Sequence, residues 1–83
     1  MTELTLIGKP DCHLCEDARS VVAAVLSDFD GSVSLTELSI LYDPALLEQY
    51  LEEIPVLLID GRVHNIWRVD PARLRSALEE VAR

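Results

Sequence analysis

The sequence predicts a single α/β domain built on a mixed four-stranded sheet, with helices on both faces. Three observations predict it: strand-like and helix-like segments follow the order β-α-β-α-β-β-α, an Asp-Gly pair separates the last two strands, and no linker or repeat divides the 83 residues. A strand-helix-strand unit normally makes parallel strands, whereas a tight hairpin makes antiparallel ones. Both kinds of pairing are therefore expected in one sheet.

The first half of the chain predicts a strand, a helix and a second strand. The aliphatic run Leu4–Ile7 ends at a glycine and predicts a buried strand. Apolar residues then recur every three or four positions, which predicts an amphipathic helix over about Cys12–Ser27 with Asp11 as its N-cap. Apolar side chains that alternate with serine and threonine predict the next strand over Val33–Leu38.

Two further helices begin at aspartate-proline pairs. Proline suits the first turn of a helix and aspartate suits the N-cap, so Asp43-Pro44 and Asp70-Pro71 predict these two beginnings. The second helix must end before Pro55, because the residue preceding a proline is pushed out of the helical region. The apolar stripe of the third helix continues nearly to Arg83.

A β-hairpin is predicted between the second and third helices. Val56–Ile59 is a continuous aliphatic run, Asp60-Gly61 is a strong hairpin signal, and Val63–Trp67 forms the returning strand. A lone aromatic residue in an apolar strand usually belongs to the core, so we assign Trp67 there. We assign His64 to the solvated edge of the hairpin.

Composition excludes several classes of partner. Fifteen acidic and seven basic residues give a net charge of −8, which repels the phosphate backbone of nucleic acids. The apolar runs are far too short to span a bilayer, and the N-terminal segment lacks the basic region of a secretory signal. We therefore expect a monomer in the reducing cytoplasm, with no nucleic-acid or membrane partner.

Cys12 and Cys15 stand two residues apart at the start of the first predicted helix. A disulfide across so short a gap restrains little chain entropy, so a structural role is a poor explanation. Thiol–disulfide exchange needs one cysteine that ionises near neutral pH and a second that resolves the mixed disulfide. The helix N-terminus favours a thiolate on Cys12, where Lys9 and His13 add positive potential and Glu16 opposes it. We predict Cys12 as the nucleophile and Cys15 as the resolving thiol.

A binding role for the same loop is the alternative hypothesis. Cys12, Cys15 and one histidine, His13 or His64, offer three ligands, whereas a closed zinc site normally needs four. A mononuclear metal site is therefore not predicted. An iron–sulfur cluster shared by two chains, or a protein partner held without turnover, stays open.

Lys9–Cys15 and Glu53–Val56 resemble two motifs of the glutaredoxins and related small glutaredoxin-like proteins. Those proteins carry a strand, a lysine shortly before a Cys-x-x-Cys pair, a helix, and later a hydrophobic residue and a proline that open the third strand. The resemblance covers nearly the whole chain and implies one thioredoxin-like domain over residues 1–83. It also implies a cis bond between Ile54 and Pro55, facing the cysteines, with backbone groups nearby that pair with the bound thiol substrate.

The chain departs from the typical glutaredoxin pattern at two places. His13 and Leu14 replace a proline and an aromatic residue between the cysteines, and Arg62–Trp67 replaces a Gly-Gly-acid element that receives part of glutathione. The resemblance implies a thiol–disulfide oxidoreductase that acts on protein or small-molecule disulfides. We expect no tightly bound cofactor. Glutathione and a thioredoxin-type reductase both stay open as its electron source.

Overall fold

The computed structural model describes residues 2–29 and 31–81, where the elements follow the predicted order. They are β1 (Thr2–Gly8), α1 (His13–Leu26), β2 (Val33–Ser39), α2 (Pro44–Tyr50), β3 (Val56–Ile59), β4 (Arg62–Ile66) and α3 (Pro71–Val81). The predicted continuation of the third helix toward Arg83 lies outside the described residues. None of the described helices is long and apolar enough to cross a bilayer.

The sheet has the strand order β2-β1-β3-β4 and contains both kinds of pairing. β1 runs parallel to β2, while β3 runs antiparallel to both β1 and β4. The predicted mixed α/β architecture is confirmed. Because Ile7 pairs with Val56, the end of β1 lies beside the beginning of β3. The segments that lead into α1 and β3 therefore meet at one end of the sheet.

Each face of the sheet has its own core, because successive side chains of a strand point to opposite faces. Leu4, Leu6 and Leu57 lie on the face that α1 and α3 cover. Ile7 and Val56 lie on the face that α2 covers. Helices on both faces agree with the prediction. The buried stripe that holds α1 to the sheet consists of Ala18, Val22 and Val25.

The helix beginnings agree with the predictions at α2 and α3 and differ at α1. Asp43 and Asp70 accept main-chain N–H groups through Oδ1, at 3.0 and 2.9 Å. The predicted N-cap of the first helix, Asp11, is wrong, because Cys12 takes that position with φ −112° and ψ 113°. Asp11 lies in a turn with φ 59°, a conformation that aspartate tolerates, so the helix begins one residue later.

The hairpin turns at Asp60 and Gly61, whose φ values of 50° and 84° suit a type I′ turn. β4 begins and ends one residue earlier than predicted, and its register with β3 shifts between Leu57 and Leu58. Trp67 therefore falls outside the strand, with φ 66° and 54% of its surface exposed. Its predicted place in the core is wrong, because the left-handed backbone ends the strand and leaves the indole on the surface.

Candidate active site

The two cysteines lie at the N-terminus of α1, as predicted from their spacing. Cys12 is the N-cap, and its Sγ accepts the main-chain N–H of Cys15 at 3.3 Å. The carbonyl of Cys12 accepts the N–H of Glu16 at 3.0 Å, which makes the first turn of the helix. The Cys12 sulfur thus occupies the position that a serine or aspartate oxygen takes in most N-caps. Both thiols are free.

The two thiols differ in burial. Cys12 is partly exposed, whereas Cys15 is 4% exposed beneath the first turn. Burial and then contact with Cys12 raise the pKa of the Cys15 thiol to about 11, while the main chain of Lys9 acts in the opposite direction. Cys15 is therefore a neutral thiol near pH 7. This placement suits an outer attacking sulfur and an inner resolving one, and the two roles stay predictions.

Gly8 makes room for the buried thiol. A Cβ atom at this position would lie 2.8 Å from Cys15 Sγ and 3.2 Å from Cys15 Cβ. Real Cβ atoms do not approach a sulfur so closely, so only glycine lets β1 pass this near to the cysteine. The sequence predicts Gly8 as the end of a strand and indicates no role for it at the site. A glycine directly before the loop that leads to Cys12 was the available signal.

A cleft of about 360 Å³ opens beside Cys15 on the β2 side of the helix. Lys9 lies in its wall, so the structure brings this predicted tuning residue close to the inner sulfur. Arg19 and Glu37 form an ion pair in the same wall, and Glu37 raises the pKa of Arg19. The cleft combines cationic and anionic groups around a small apolar floor.

His13, the other predicted tuning residue, points into solvent. Its side chain is 99% exposed, and Nδ1 lies 3.8 Å from a carboxylate oxygen of Glu16. Solvent and this carboxylate both screen the positive charge that an imidazolium would carry. The influence of His13 on the Cys12 thiolate therefore stays a prediction that the geometry limits to a small effect.

The Ile54–Pro55 peptide bond is cis, as the resemblance implied, and Pro55 is fully buried. The pairing of Ile7 with Val56 places this bond at the end of the sheet from which the chain leads to Cys12. The N–H of Ile54 donates to Tyr50 at 3.2 Å, and the carbonyl of Pro55 accepts from Trp67 at 2.8 Å. A substrate main chain would compete for these two groups. Substrate binding by Ile54 and Pro55 stays a prediction.

The side chains that commonly bind metal ions are dispersed in the part of the chain that the structure describes. There, no three side chains among histidine, cysteine, aspartate and glutamate come together as metal ligands. His64 lies on the edge strand β4, as predicted, but it is half-buried and not fully solvated. Burial lowers the pKa of His64, and the positive charge of Arg73 lowers it further.

The fold and the site together define the class, a thioredoxin-fold protein with two cysteines at the start of its first helix. A solved structure of chloroplastic thioredoxin z is similar, with a TM-score of 0.80. The match covers 99% of this chain and 79% of that one. At 14% identity, this likeness concerns the fold alone.

Within this class, the chain belongs to the glutaredoxin-like domain family (DUF836), which matches residues 3–79. A structural-genomics target protein from X. campestris is 35% identical, with a TM-score of 0.73 over 93% of this chain and 96% of that one. Uncharacterized proteins of Mycobacterium bovis and Mycobacterium tuberculosis are 26% identical over 77 residues, covering 89% of this chain and 79% of each relative. The predicted relationship to glutaredoxins is confirmed.

Proposed function

We propose that this protein is a thiol–disulfide oxidoreductase in which Cys12 attacks and Cys15 resolves. The observation that carries the proposal is the inequality of the two thiols within one helical turn. Cys12 Sγ lies at the N-cap and accepts the Cys15 N–H at 3.3 Å, whereas Cys15 is 4% exposed with a pKa of about 11. An accessible outer sulfur backed by a protonated inner sulfur is the arrangement that two-step exchange needs.

The first step is attack of the Cys12 thiolate on a substrate disulfide. A bond forms between Cys12 Sγ and one substrate sulfur, and the S–S bond of the substrate breaks to release a thiolate, which takes a proton from solvent. In the second step, Cys15 loses its proton and attacks Cys12 Sγ, which releases the other substrate thiolate. The substrate gains two electrons, and the protein is left with a Cys12–Cys15 disulfide.

The environment of Cys15 changes in the direction that this sequence of steps requires. In the reduced protein, burial and then contact with Cys12 raise the pKa of Cys15, so it does not compete as the first nucleophile. Once Cys12 has formed a mixed disulfide with the substrate, its sulfur carries no negative charge. One cause of the raised pKa is thereby removed, and Cys15 loses its proton more easily just when it must attack.

Two single substitutions test the assignment of the two roles. Cys12→Ser is expected to lower the rate of protein disulfide reduction by about a thousandfold or more, since no other thiol takes the N-cap position. Cys15→Ser is expected to retain the first step and to accumulate a mixed disulfide through Cys12, seen by mass spectrometry without reductant. Retained turnover in Cys12→Ser, or a mixed disulfide that accumulates on Cys15 in that variant, would contradict the proposal.

A redox titration tests the activity without a chosen substrate. We expect a reversible two-electron transition within roughly −270 to −120 mV, the span of known exchange proteins. Alkylation of the free thiols and mass spectrometry measure the fraction of the Cys12–Cys15 disulfide at each potential. Failure to form the Cys12–Cys15 disulfide over this range would favour the binding module instead. Visible absorption and metal analysis of protein purified without chelators then separate a cluster-binding module from one that holds a protein partner.

A reducing cytosolic setting and its electron source are part of the same proposal. Cys12 and Cys15 can turn over as a reductase only where a reductant returns their disulfide to the dithiol form. The net charge of −8 disfavours the anionic tripeptide glutathione, which supports a thioredoxin-type reductase as the reductant. Coupled assays with each reductant in turn decide between them. Faster recycling of the Cys12–Cys15 disulfide by glutathione would overturn this choice.

A further inference from the structure

A partly apolar surface lies along the residues that follow β4, apart from the Lys9 cleft. It consists of two adjoining clefts of about 180 and 640 Å³ that share Trp67 as a common wall, and we call it the Trp67 groove. Its apolar surface is formed by Leu14, Val21, Leu47, Leu51, Ile66 and Trp67. Leu14 lies between the two cysteines in the sequence, so the smaller cleft shares one lining residue with the Cys12–Cys15 segment.

The groove is also connected to the cis-proline segment. The main-chain N–H of Trp67 donates to the carbonyl of Pro55 at 2.8 Å. The indole Nε1–H donates to the carbonyl of Glu52 at 3.1 Å. These two bonds fix both the backbone and the ring of Trp67 beside the segment that the family resemblance associates with bound thiol substrates.

Trp67 is held in place yet exposed. Over half of its surface is open to solvent, at 54%, and so is that of Leu51, at 53%, with Leu14 at 37%. A contiguous exposed cluster of large apolar side chains is typical of an interaction site. A tryptophan whose ring is already fixed offers a large contact area at little cost in conformational entropy.

The rim of the groove is acidic. Four carboxylates line its two clefts, against a single guanidinium, that of Arg68. The four carboxylates belong to Asp17, Glu48, Glu52 and Glu53. The chain as a whole carries a net charge of −8, so the local and the overall charge have the same sign. Such a surface attracts cationic partners and repels anionic ones.

We propose that the Trp67 groove selects polypeptide disulfides whose cysteine is flanked by apolar and basic side chains. This rests on the proposed function, because the groove orients a substrate whose sulfur Cys12 attacks. Apolar side chains of the partner pack on Trp67 and Leu14, and lysine or arginine meets the rim carboxylates. Glutathione disulfide, which is small and anionic, is the least favoured substrate. The exchange steps and their electron balance are those given above.

A binding experiment tests the selection apart from the chemistry. The chain has one tryptophan, so the fluorescence of Trp67 reports contact with a tryptophan-free peptide. Three matched peptides have a central serine in place of the target cysteine, with a leucine on each side of it. They differ only in the next residues outward, which are lysines, serines or glutamates. We expect the lysine peptide to bind about tenfold more tightly than the glutamate peptide. Equal affinities, or a preference for glutamate, would overturn the proposal.

Matched charge variants localise the effect. Glu48→Gln/Glu52→Gln removes two charges from the rim, and Glu79→Gln/Glu80→Gln removes two exposed charges from α3 outside the groove. We expect the first pair to abolish most of the preference for lysine and the second pair to retain it. The same loss in both pairs would mean that net charge, and not the groove, selects the peptide.

Single-turnover reduction separates this inference from the proposed function. The reduced protein is mixed, in separate reactions, with hydroxyethyl disulfide and with the cysteine form of each of the three peptides. Each peptide cysteine is supplied as a mixed disulfide with the same small thiol. No reaction with any of them contradicts the exchange activity itself. Equal rates for all three peptides contradict only the selection. A monomer–dimer equilibrium that Trp67→Ala abolishes would show that a second copy covers the groove, and would overturn the peptide proposal.

Discussion

Cys12 and Cys15 are neighbours on one helical turn, yet the structure gives them opposite environments. Cys12 is the N-cap of α1 and accepts a main-chain N–H, so its sulfur lies at the N-terminal end of the helix. Cys15 faces inward against Gly8, where burial is the largest cause of its raised pKa. The formal charges nearby are either paired or open to solvent. Burial, more than charge, therefore separates the two thiols.

The largest expected effect is a pH dependence of stability in the reduced protein. The Cys15 thiol ionises near 9.0 in an unfolded chain and near 11 in the fold. Between these values the unfolded state has lost the proton and the native state has kept it, so the free energy of unfolding falls as pH rises. The loss approaches about 3 kcal/mol, measured by denaturant unfolding.

The matched control for this effect is Cys15→Ser, whose hydroxyl does not ionise in this range. Its stability is expected to fall less than that of the wild type between pH 9 and 11. The oxidised protein has no free thiol and should behave like Cys15→Ser. Identical pH profiles for all three proteins would mean that Cys15 is not a buried neutral thiol.

A second, smaller effect is expected from filling the space over the inner sulfur. Gly8→Ala places a methyl group against Cys15 Sγ, which would lie 2.8 Å away. We expect a loss of about 1–3 kcal/mol in the stability of the reduced protein, as for other overpacked sites. The midpoint potential of the Cys12–Cys15 pair should also change, because displacement of the Cys15 sulfur alters its position relative to the Cys12 sulfur.

A double-mutant cycle shows whether the sulfur is responsible. In a Cys15→Ala background the sulfur is absent, so Gly8→Ala should cost about 1 kcal/mol less than in the wild type. Denaturant unfolding of the four proteins gives the coupling free energy. Strict additivity would mean that Gly8 acts through the backbone alone and does not position the thiol.

The smallest effect is expected at His13. Its side chain is 99% exposed and lies 3.8 Å from Glu16, so its charge is screened from the Cys12 sulfur. We expect His13→Asn to change the rate constant of Cys12 with a small neutral disulfide by less than about threefold at pH 6. Glu16→Gln should give a similarly small increase. A change beyond about tenfold in His13→Asn would mean that charge governs the outer thiol after all.

Most of the fold was predictable because it depends on local patterns. The Cys-x-x-Cys pair, the Asp43-Pro44 helix start and the Asp60-Gly61 turn each carry their signal within a few residues. The predicted N-cap of the first helix was wrong because two local preferences compete at that position. Asp11 is a good N-cap residue, but the turn before α1 required its left-handed backbone and left the cap to Cys12.

The sequence by itself determined the order of elements, the mixed sheet, and two cysteines at a helix N-terminus, because spacing and periodicity carry that information. Only the tertiary structure decided that Gly8 lies against Cys15, that the Cys15 pKa rises, and that Trp67 stands exposed beside Pro55. These features depend on how separate elements of the chain pack against one another. Burial is a property of the packed fold, and no local pattern states it.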